Sequence, residues 1–287
     1  MIDLHIHSAA SDGSVNPKDL AALGKKQGLT LMALTDHDTI KGNEEAGIAS
    51  NQEGIHFIPG IEIEINGANE GVPGEFHLLG LGINRPDHAF LDAIALLIRQ
   101  REERNREILK RMEEFDIRAS YEEIEALSGG HSVGRPHFAS FLVKRRIVKN
   151  QEQAFLRYLG KGRPFYVPKA GLDFDHAVSL VQNAGGIAIL AHPMSLYVAW
   201  GRLPDLIKNL KNRGLDGLEA WHPAARVRDC RRLEDLARTL NLYISAGSDF
   251  HGGFRPDRKL GITAGGKKIE ASMLDPSLIE RLKSSEP

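Results

Sequence analysis

Seven short apolar runs of strand composition recur along the chain, at 2–7, 29–35, 56–65, 76–83, 186–191, 215–220 and 242–246. Segments of helical character lie between several of them, among them 17–27 (PKDLAALGKKQ) and 173–184 (DFDHAVSLVQNA). The runs LTLMALT (29–35) and GIAILA (186–191) are continuously apolar, as expected of strands buried on both faces of a helix-covered sheet. This rhythm predicts an α/β barrel or a strongly curved parallel sheet. A chain of 287 residues holds one large barrel-type domain or two ordinary ones.

Residues 99–172 break the rhythm. RQREERNREILKRMEEF reads as a long charged helix, and SYEEIEALSG and RPHFASFLVKRR as further helices. Pro136 stands where a first helical turn tolerates it. The expected organisation is a barrel built from 1–98 and 173–287, with 99–172 as a small helical insertion between the fourth and fifth strands.

Polar residues of one kind gather where these runs end. DLHIHSAASDG (3–13) would place Asp3, His5 and His7 on one face of an extended strand. Ser11, Asp12 and Gly13 then read as a turn that returns a carboxylate toward the imidazoles. ALTDHDT puts Asp36, His37 and Asp38 after the second run, and GIEIEI puts Glu62 and Glu64 near the end of the third. His77 lies in the fourth, His192 directly follows the fifth, and Asp249 and His251 follow the last. A lone histidine at a strand end is more often a satisfied polar residue than a ligand, but repetition at six ends argues against chance. Imidazole and carboxylate are good ligands for borderline divalent metals, and catalytic sites use about three protein ligands per ion. This many donors therefore implies two or three ions in one cleft.

His56, His88, His131, His176 and His222 have no ligand partner nearby in sequence and read as structural or solvated. Asp3, Asp36, Asp38 and Glu64 are suited to orienting imidazoles, or to helix capping and the surface. The single cysteine, Cys230, excludes an intrachain disulfide and a multi-cysteine zinc site. A formal net charge of -1 argues against a broad, non-specific hold on nucleic acid. The first residues lack a signal-peptide pattern, and no run approaches the ~20 apolar residues of a membrane span. A cytoplasmic protein with no membrane or obligate protein partner is expected.

DLHIHS, SDG, LTDHDT, GIEIE, His77, AHP and GSDFH together resemble the PHP (polymerase and histidinol phosphatase) family of metal-dependent phosphoesterases. The resemblance implies a distorted (β/α)7 barrel with a trinuclear cleft at the strand ends. Carried over by motif, His5, His7, Glu62 and Asp249 would hold one ion, and Glu62 would bridge to a second held by His77 and His192. Asp12, His37 and His251 would hold the third. Many members have His where Asp12 stands, and an oxygen donor there favours manganese or magnesium over zinc. Manganese is the expected metal, with iron, zinc and magnesium as alternatives. Asp12, His37, Glu62, His192 and Asp249 would be catalytic, Asp12 and His37 also facing the substrate.

Such ions activate water and neutralise phosphoryl oxygens. No Ser or Cys nucleophile with a base partner is evident, although Ser8 and Ser11 lie in the cleft motif. Substrate recognition is expected from the insertion: Arg104, Asn105 and Arg106 in ERNR, and Arg135 and His137 in GRPH, suit a grip on phosphate oxygens. A solvated helix face accounts equally well for any one residue of ERNR. The helical insertion and the RPHFA segment resemble the branch acting on nucleoside 3',5'-bisphosphates, some relatives of which trim short RNA from the 5' end. A histidinol-phosphate phosphatase and a non-catalytic metal-binding module are the alternatives.

Overall fold

The computed structural model describes residues 1–68, 70–128 and 133–284. The chain divides into two compact units, one formed by Met1–Ile94 with Gly171–Pro287 and the other by Ala95–Ala170. The first half of the larger unit contains β1 (Ile2–Asp3), α1 (Pro17–Gln27), β2 (Leu31–Leu34), α2 (Asn43–Glu53), β3 (His56–Glu64) and β4 (His77–Leu81). α1 has proline in its first turn, lysines in its last, and a left-handed Gly28 to stop it (φ 84°), the order of signals that starts and ends a helix. Its buried Leu20 joins Leu29, Met32, Leu34 and Ala46 in one core cluster between the first strands and helices. Each such leucine contributes about 1.5–3 kcal/mol of transfer free energy.

The smaller unit takes most of α3 (His88–Glu113), then α4 (Tyr121–Glu125), α5 (Arg135–Lys144) and α6 (Gln151–Ala154). It has a core of its own, in which Ile108, Met112, Ile124, Phe138, Leu142 and Phe165 are completely buried. The larger unit resumes with α7 (Phe174–Asn183), β5 (Ile187–Leu190), α8 (Leu203–Asn212), β6 (Gly217–Trp221), α9 (Val227–Thr239), β7 (Tyr243–Ala246) and α10 (Pro276–Ser284). A two-stranded sheet of β8 (Ile262–Thr263) and β9 (Lys267–Lys268) precedes α10. α8 buries Leu203, Ile207 and Leu210, the spacing of a single apolar stripe.

Strands β1 to β7 form one sheet in that order. Beyond the ladder, Leu4 N–H reaches Ala246 O (3.2 Å) and Asp249 N–H reaches His5 O (2.9 Å), so the barrel is nearly closed. The expected strand at 2–7 is only Ile2–Asp3, with Ile6 bridging Phe250. After Asp3 the backbone leaves β2: Ile6 O and N–H bond Thr35, and His7 N–H bonds Phe250 O. β4 is antiparallel to both neighbours. Among the described residues its connection from β3 carries no helix, and an antiparallel neighbour needs none. No described helix is long and apolar enough to cross a membrane.

Candidate metal centre

The reversal of β4 decides where its histidine lies. His77 is the first residue of that strand and pairs with Glu64, the last of β3, so its amino end meets the rim formed by its neighbours' carboxyl ends. His37 follows β2, Glu62 lies near the end of β3, His192 follows β5, and Asp249 and His251 follow β7. Asp12 comes from the turn in which Ser11 and Gly13 N–H both bond Ser8 O. Two of these positions adopt the left-handed backbone that non-glycine residues avoid, His192 (φ 28°) and Asp249 (φ 49°). Strain of this kind, about 1–3 kcal/mol per residue, persists where surrounding structure enforces it. Gly247 is required by contact, since a Cβ there would stand 2.2 Å from that of His5.

Eight side chains converge around Glu62. His5 Nε2 and His7 Nε2 stand 3.4 and 3.2 Å from Glu62 Oε2, and 3.6 and 3.2 Å from Asp249 Oδ1. The two imidazole nitrogens are 3.1 Å apart. Glu62 Oε1 faces the other way, 2.9 Å from His77 Nδ1 and 2.8 Å from His192 Nε2. On a third side Asp12 approaches His251 Nε2 (3.3 Å), His7 Nδ1 (3.6 Å) and His37 Nε2 (3.8 Å). Among the described residues the ligand atoms fall into overlapping groups that could each hold an ion: His7, Asp12, His37 and His251; His5, His222 and Asp249; His5, His7 and Glu62; and His37, Glu62 and His77.

The donor set fits divalent cations by its own chemistry. Four imidazoles have their outward nitrogens engaged: His5 Nδ1 with Glu219 (2.9 Å), His77 Nε2 with Glu64 (3.0 Å), His192 Nδ1 with Ser195 and His251 Nδ1 with Asp249 O (2.8 Å). A proton held outward leaves the inward nitrogen's lone pair for a cation. His37 Nδ1 lies 3.0 Å from Glu62 Oε2 without the alignment of a hydrogen bond. Buried nitrogens aimed at shared points rather than at partners are what ions satisfy.

The electrostatics are those of a cation site. Burial pushes Glu62 up, but His37, His77 and His5 hold it well below the usual carboxylate range. Burial likewise opposes Asp12, which His251 and His37 keep low, and Asp249, which His251, His222 and His7 keep low. Burial also disfavours a charged His7, yet hydrogen bonds to Asp249 and Glu62 raise it to about 10. His37 goes the other way: burial, with His7 and His77 beside it, outweighs Glu62 and Asp12.

A PHP domain model matches residues 3–164. The chain belongs to the PHP family. A 5'-3' exoribonuclease of Haemophilus influenzae is 37% identical over 250 residues, covering 87% of this chain and 89% of that protein. A 3',5'-nucleoside bisphosphate phosphatase of Chromobacterium violaceum is 31% identical over 263 residues, 91% of each chain. Among solved structures, an amidohydrolase of Chromobacterium violaceum with bound sulfate and no metal superposes with a TM-score of 0.84. It is 28% identical and covers 99% of this chain and 96% of that one. This PHP protein is a metal-dependent phosphoester hydrolase.

Around the PHP centre the structure adds residues that sequence reasoning passed over. Glu219, wholly buried in β6, accepts from His5 Nδ1 through one oxygen and from His192 N–H (2.7 Å) through the other. His222, read from sequence as structural or solvated, lies 3.2 Å from Asp249 Oδ2 and forms a three-residue cluster with it and His5. Arg258 Nη1 donates to the same Asp249 oxygen at 2.8 Å. The strand-end rule applied to LEAWH would have found His222, which follows the strand; Glu219 lies inside it, and Arg258 has no comparable signal in FRPDRK.

The other carboxylates divide. Glu64 holds His77, as above, whereas Asp3 accepts from the N–H groups of Ser248, Gly261 and His5 and orients backbone rather than an imidazole. Asp38 accepts from Glu64 N–H (3.0 Å). Asp36 accepts from the hydroxyls of Ser8 (2.6 Å) and Ser11 (2.5 Å), and both serines are wholly buried. His88 and His176 are exposed, His56 opens β3, and His131 lies outside the described residues.

In the smaller unit, Arg104 and Asn105 are buried, and Arg106 is exposed. Arg104 Nη2 donates to Asn105 Oδ1 (3.1 Å), and Asn105 Nδ2 to Val133 O (2.9 Å). That bond brings ERNR beside GRPH. Arg135 lies over the Tyr166 ring at 5.7 Å, and His137 Nδ1 accepts from Gly134 N–H at the start of α5.

Proposed function

We propose that this PHP enzyme removes the 3'-phosphate of nucleoside 3',5'-bisphosphates, leaving a 5'-nucleotide, and that short RNA is trimmed by the same centre from its 5' end. The observation that carries the reading is the convergence of imidazoles and carboxylates on both oxygens of Glu62 in a chain similar over most of its length to enzymes named for these two activities.

His5, His7, Glu62 and Asp249 would hold one ion, Glu62, His77 and His192 a second, and Asp12, His37 and His251 a third. Manganese is the assigned metal, on the ground that Asp12 supplies oxygen where many relatives supply nitrogen. When bound, such ions supply an activated water and neutralise phosphoryl charge. The protein's own part is positional. Glu62, 1% exposed, holds the two halves of the donor set at a fixed separation, while Asp12 and His37 have side chains 21% and 14% exposed and so face incoming phosphate. The Ser8 and Ser11 hydroxyls are wholly buried against Asp36, so neither is exposed to incoming phosphate. Hydrolysis is therefore assigned without a phosphoserine.

The metal-holding residues grip only the phosphate that is cleaved, so the second phosphate is assigned to Arg104, Asn105, Arg106, Arg135 and His137 in the helical insertion. Charge-assisted hydrogen bonds of this kind are worth about 1.5–3 kcal/mol each.

The test is phosphate release from adenosine 3',5'-bisphosphate beside histidinol phosphate, with the nucleotide product identified. Adenosine 5'-phosphate as product and a higher kcat/KM on the bisphosphate are expected. Release of the 5'-phosphate, or faster turnover of histidinol phosphate, overturns the reading. A second arm compares Arg135→Ala on the bisphosphate and on a small monoester, with loss expected on the bisphosphate alone.

A further inference from the structure

A cavity of about 130 Å³ opens beside the metal centre within the larger unit. His192, Glu219 and His222, which belong to the centre, line one end of it. The rest is built mainly from apolar surface, including Pro193, Met194, Ala220, Ala224 and Leu233. At its mouth stands Tyr197, whose side chain leaves the residue 76% exposed. Nothing in the phosphoester chemistry described above uses this space.

The walls are held in place. Ala224 N–H donates to His222 Nδ1 (3.2 Å) and Ala225 N–H to His222 O (3.0 Å), tying one wall to the centre. Tyr197 has a left-handed backbone (φ 53°), and the segment before it is pinned to the β3–β4 connection by Gly74 N–H to Leu196 O (3.0 Å) and Glu75 N–H to Ser195 O (2.9 Å). An exposed aromatic ring on a strained, hydrogen-bonded loop is a presented surface rather than a packing element.

The lining says what enters. No lysine or arginine is among the described residues around the cavity, so it does not suit a second phosphate. Apolar walls, a polarizable Met194 and an aromatic edge suit a flat ring. A group here would lie against His192 and His222, which join the cavity to the centre where the phosphate is cleaved. We infer that this cavity receives the nucleobase of the substrate, with Tyr197 as its stacking surface. The inference rests on the nucleotide reading above and deepens it. Stacking reads a π-face rather than an edge, so the site accepts purines and pyrimidines alike.

The test compares adenosine 3',5'-bisphosphate with its abasic analogue, the same sugar bisphosphate lacking the base, in the manganese-loaded enzyme. Tyr197→Asn removes the ring while suiting a left-handed backbone, and Tyr197→Phe keeps it. Tyr197→Asn is expected to lower kcat/KM on the nucleotide about ten- to a hundredfold, chiefly through KM. It should leave the abasic substrate and metal content unchanged, and Tyr197→Phe should behave as wild type. Ala224→Leu, which narrows the cavity, should give the same selective loss. Equal losses on both substrates, or no loss on either, overturn the assignment while leaving the nucleotide reading intact. Turnover of the abasic bisphosphate without turnover of the nucleotide by the wild type defeats both.

Discussion

Glu219 offers the sharpest test of how the centre is held, because one substitution sets two of its hydrogen bonds against each other. Its carboxylate accepts from His5 Nδ1 at 2.9 Å and from His192 N–H at 2.7 Å, with no exposed surface. Glu219→Gln preserves shape but replaces one acceptor by a donor. If the amide oxygen turns to His192, the NH2 group faces His5 Nδ1 and forces the ring's proton onto Nε2, the nitrogen aimed at Glu62 and Asp249. If the oxygen turns to His5, a buried backbone N–H loses its partner, at about 1–3 kcal/mol. Partners that orient metal-binding imidazoles are worth about 10–100-fold in metal affinity or activity, so a loss of that size is expected in both. Metal titration and kcat/KM would be measured for Glu219→Gln, His5→Ala and the double variant. A residue acting through His5 should add little once His5 is gone. Wild-type metal affinity in Glu219→Gln, or full additivity in the double variant, refutes the reasoning.

Glu62→Ala should be among the most damaging changes, since both carboxylate oxygens face imidazole pairs; elemental analysis should show more than one ion lost per chain. Ser8→Ala and Ser11→Ala should keep substantial activity and lose about 0.5–1.5 kcal/mol of stability each, measured by denaturant unfolding; a trapped phosphoserine would contradict this. Arg258→Met leaves Asp249 Oδ2 with His222 as its hydrogen-bond partner and should weaken metal binding, read by chelator competition. Chelation should abolish phosphate release, and added manganese should restore it.

Much of this was legible because the determining signals are local. A fully buried strand needs an unbroken apolar run, and β2 and β5 have them at Leu31–Leu34 and Ile187–Leu190. Helix α1 has proline at its start and glycine at its stop. The clustering of imidazoles and carboxylates was legible for a related reason: most of them follow apolar runs that read as strands, so their shared rim was implied by the architecture. His5 and His7 arrive at one place even though regular pairing ends at Asp3. The backbone bends at Leu4, but Ile6 and His7 are held between Thr35 and Phe250 by hydrogen bonds, which brings the two imidazoles together.

What was not legible depends on direction and distance. FHLLGLG has the same composition whichever way it runs, so the reversal of β4 was hidden, and with it the reason His77 at a strand's beginning reaches a rim of strand ends. Glu219 sits between Leu218 and Ala220 in a strand whose five residues are all buried, where a carboxylate reads as an interruption. It is tolerated there only because His5, 214 residues away, meets one oxygen, and the His192 N–H meets the other. The partners that make such a charge affordable are non-local, and no window of sequence contains them. Arg258 is the same case in reverse: FRPDRK has the composition of a solvated loop, and its buried guanidinium is stabilised by Asp249 at the opposite end of that loop. Donors that stand at strand ends could be read from the pattern of strands, while the groups that aim them were set by which ends the barrel brings together.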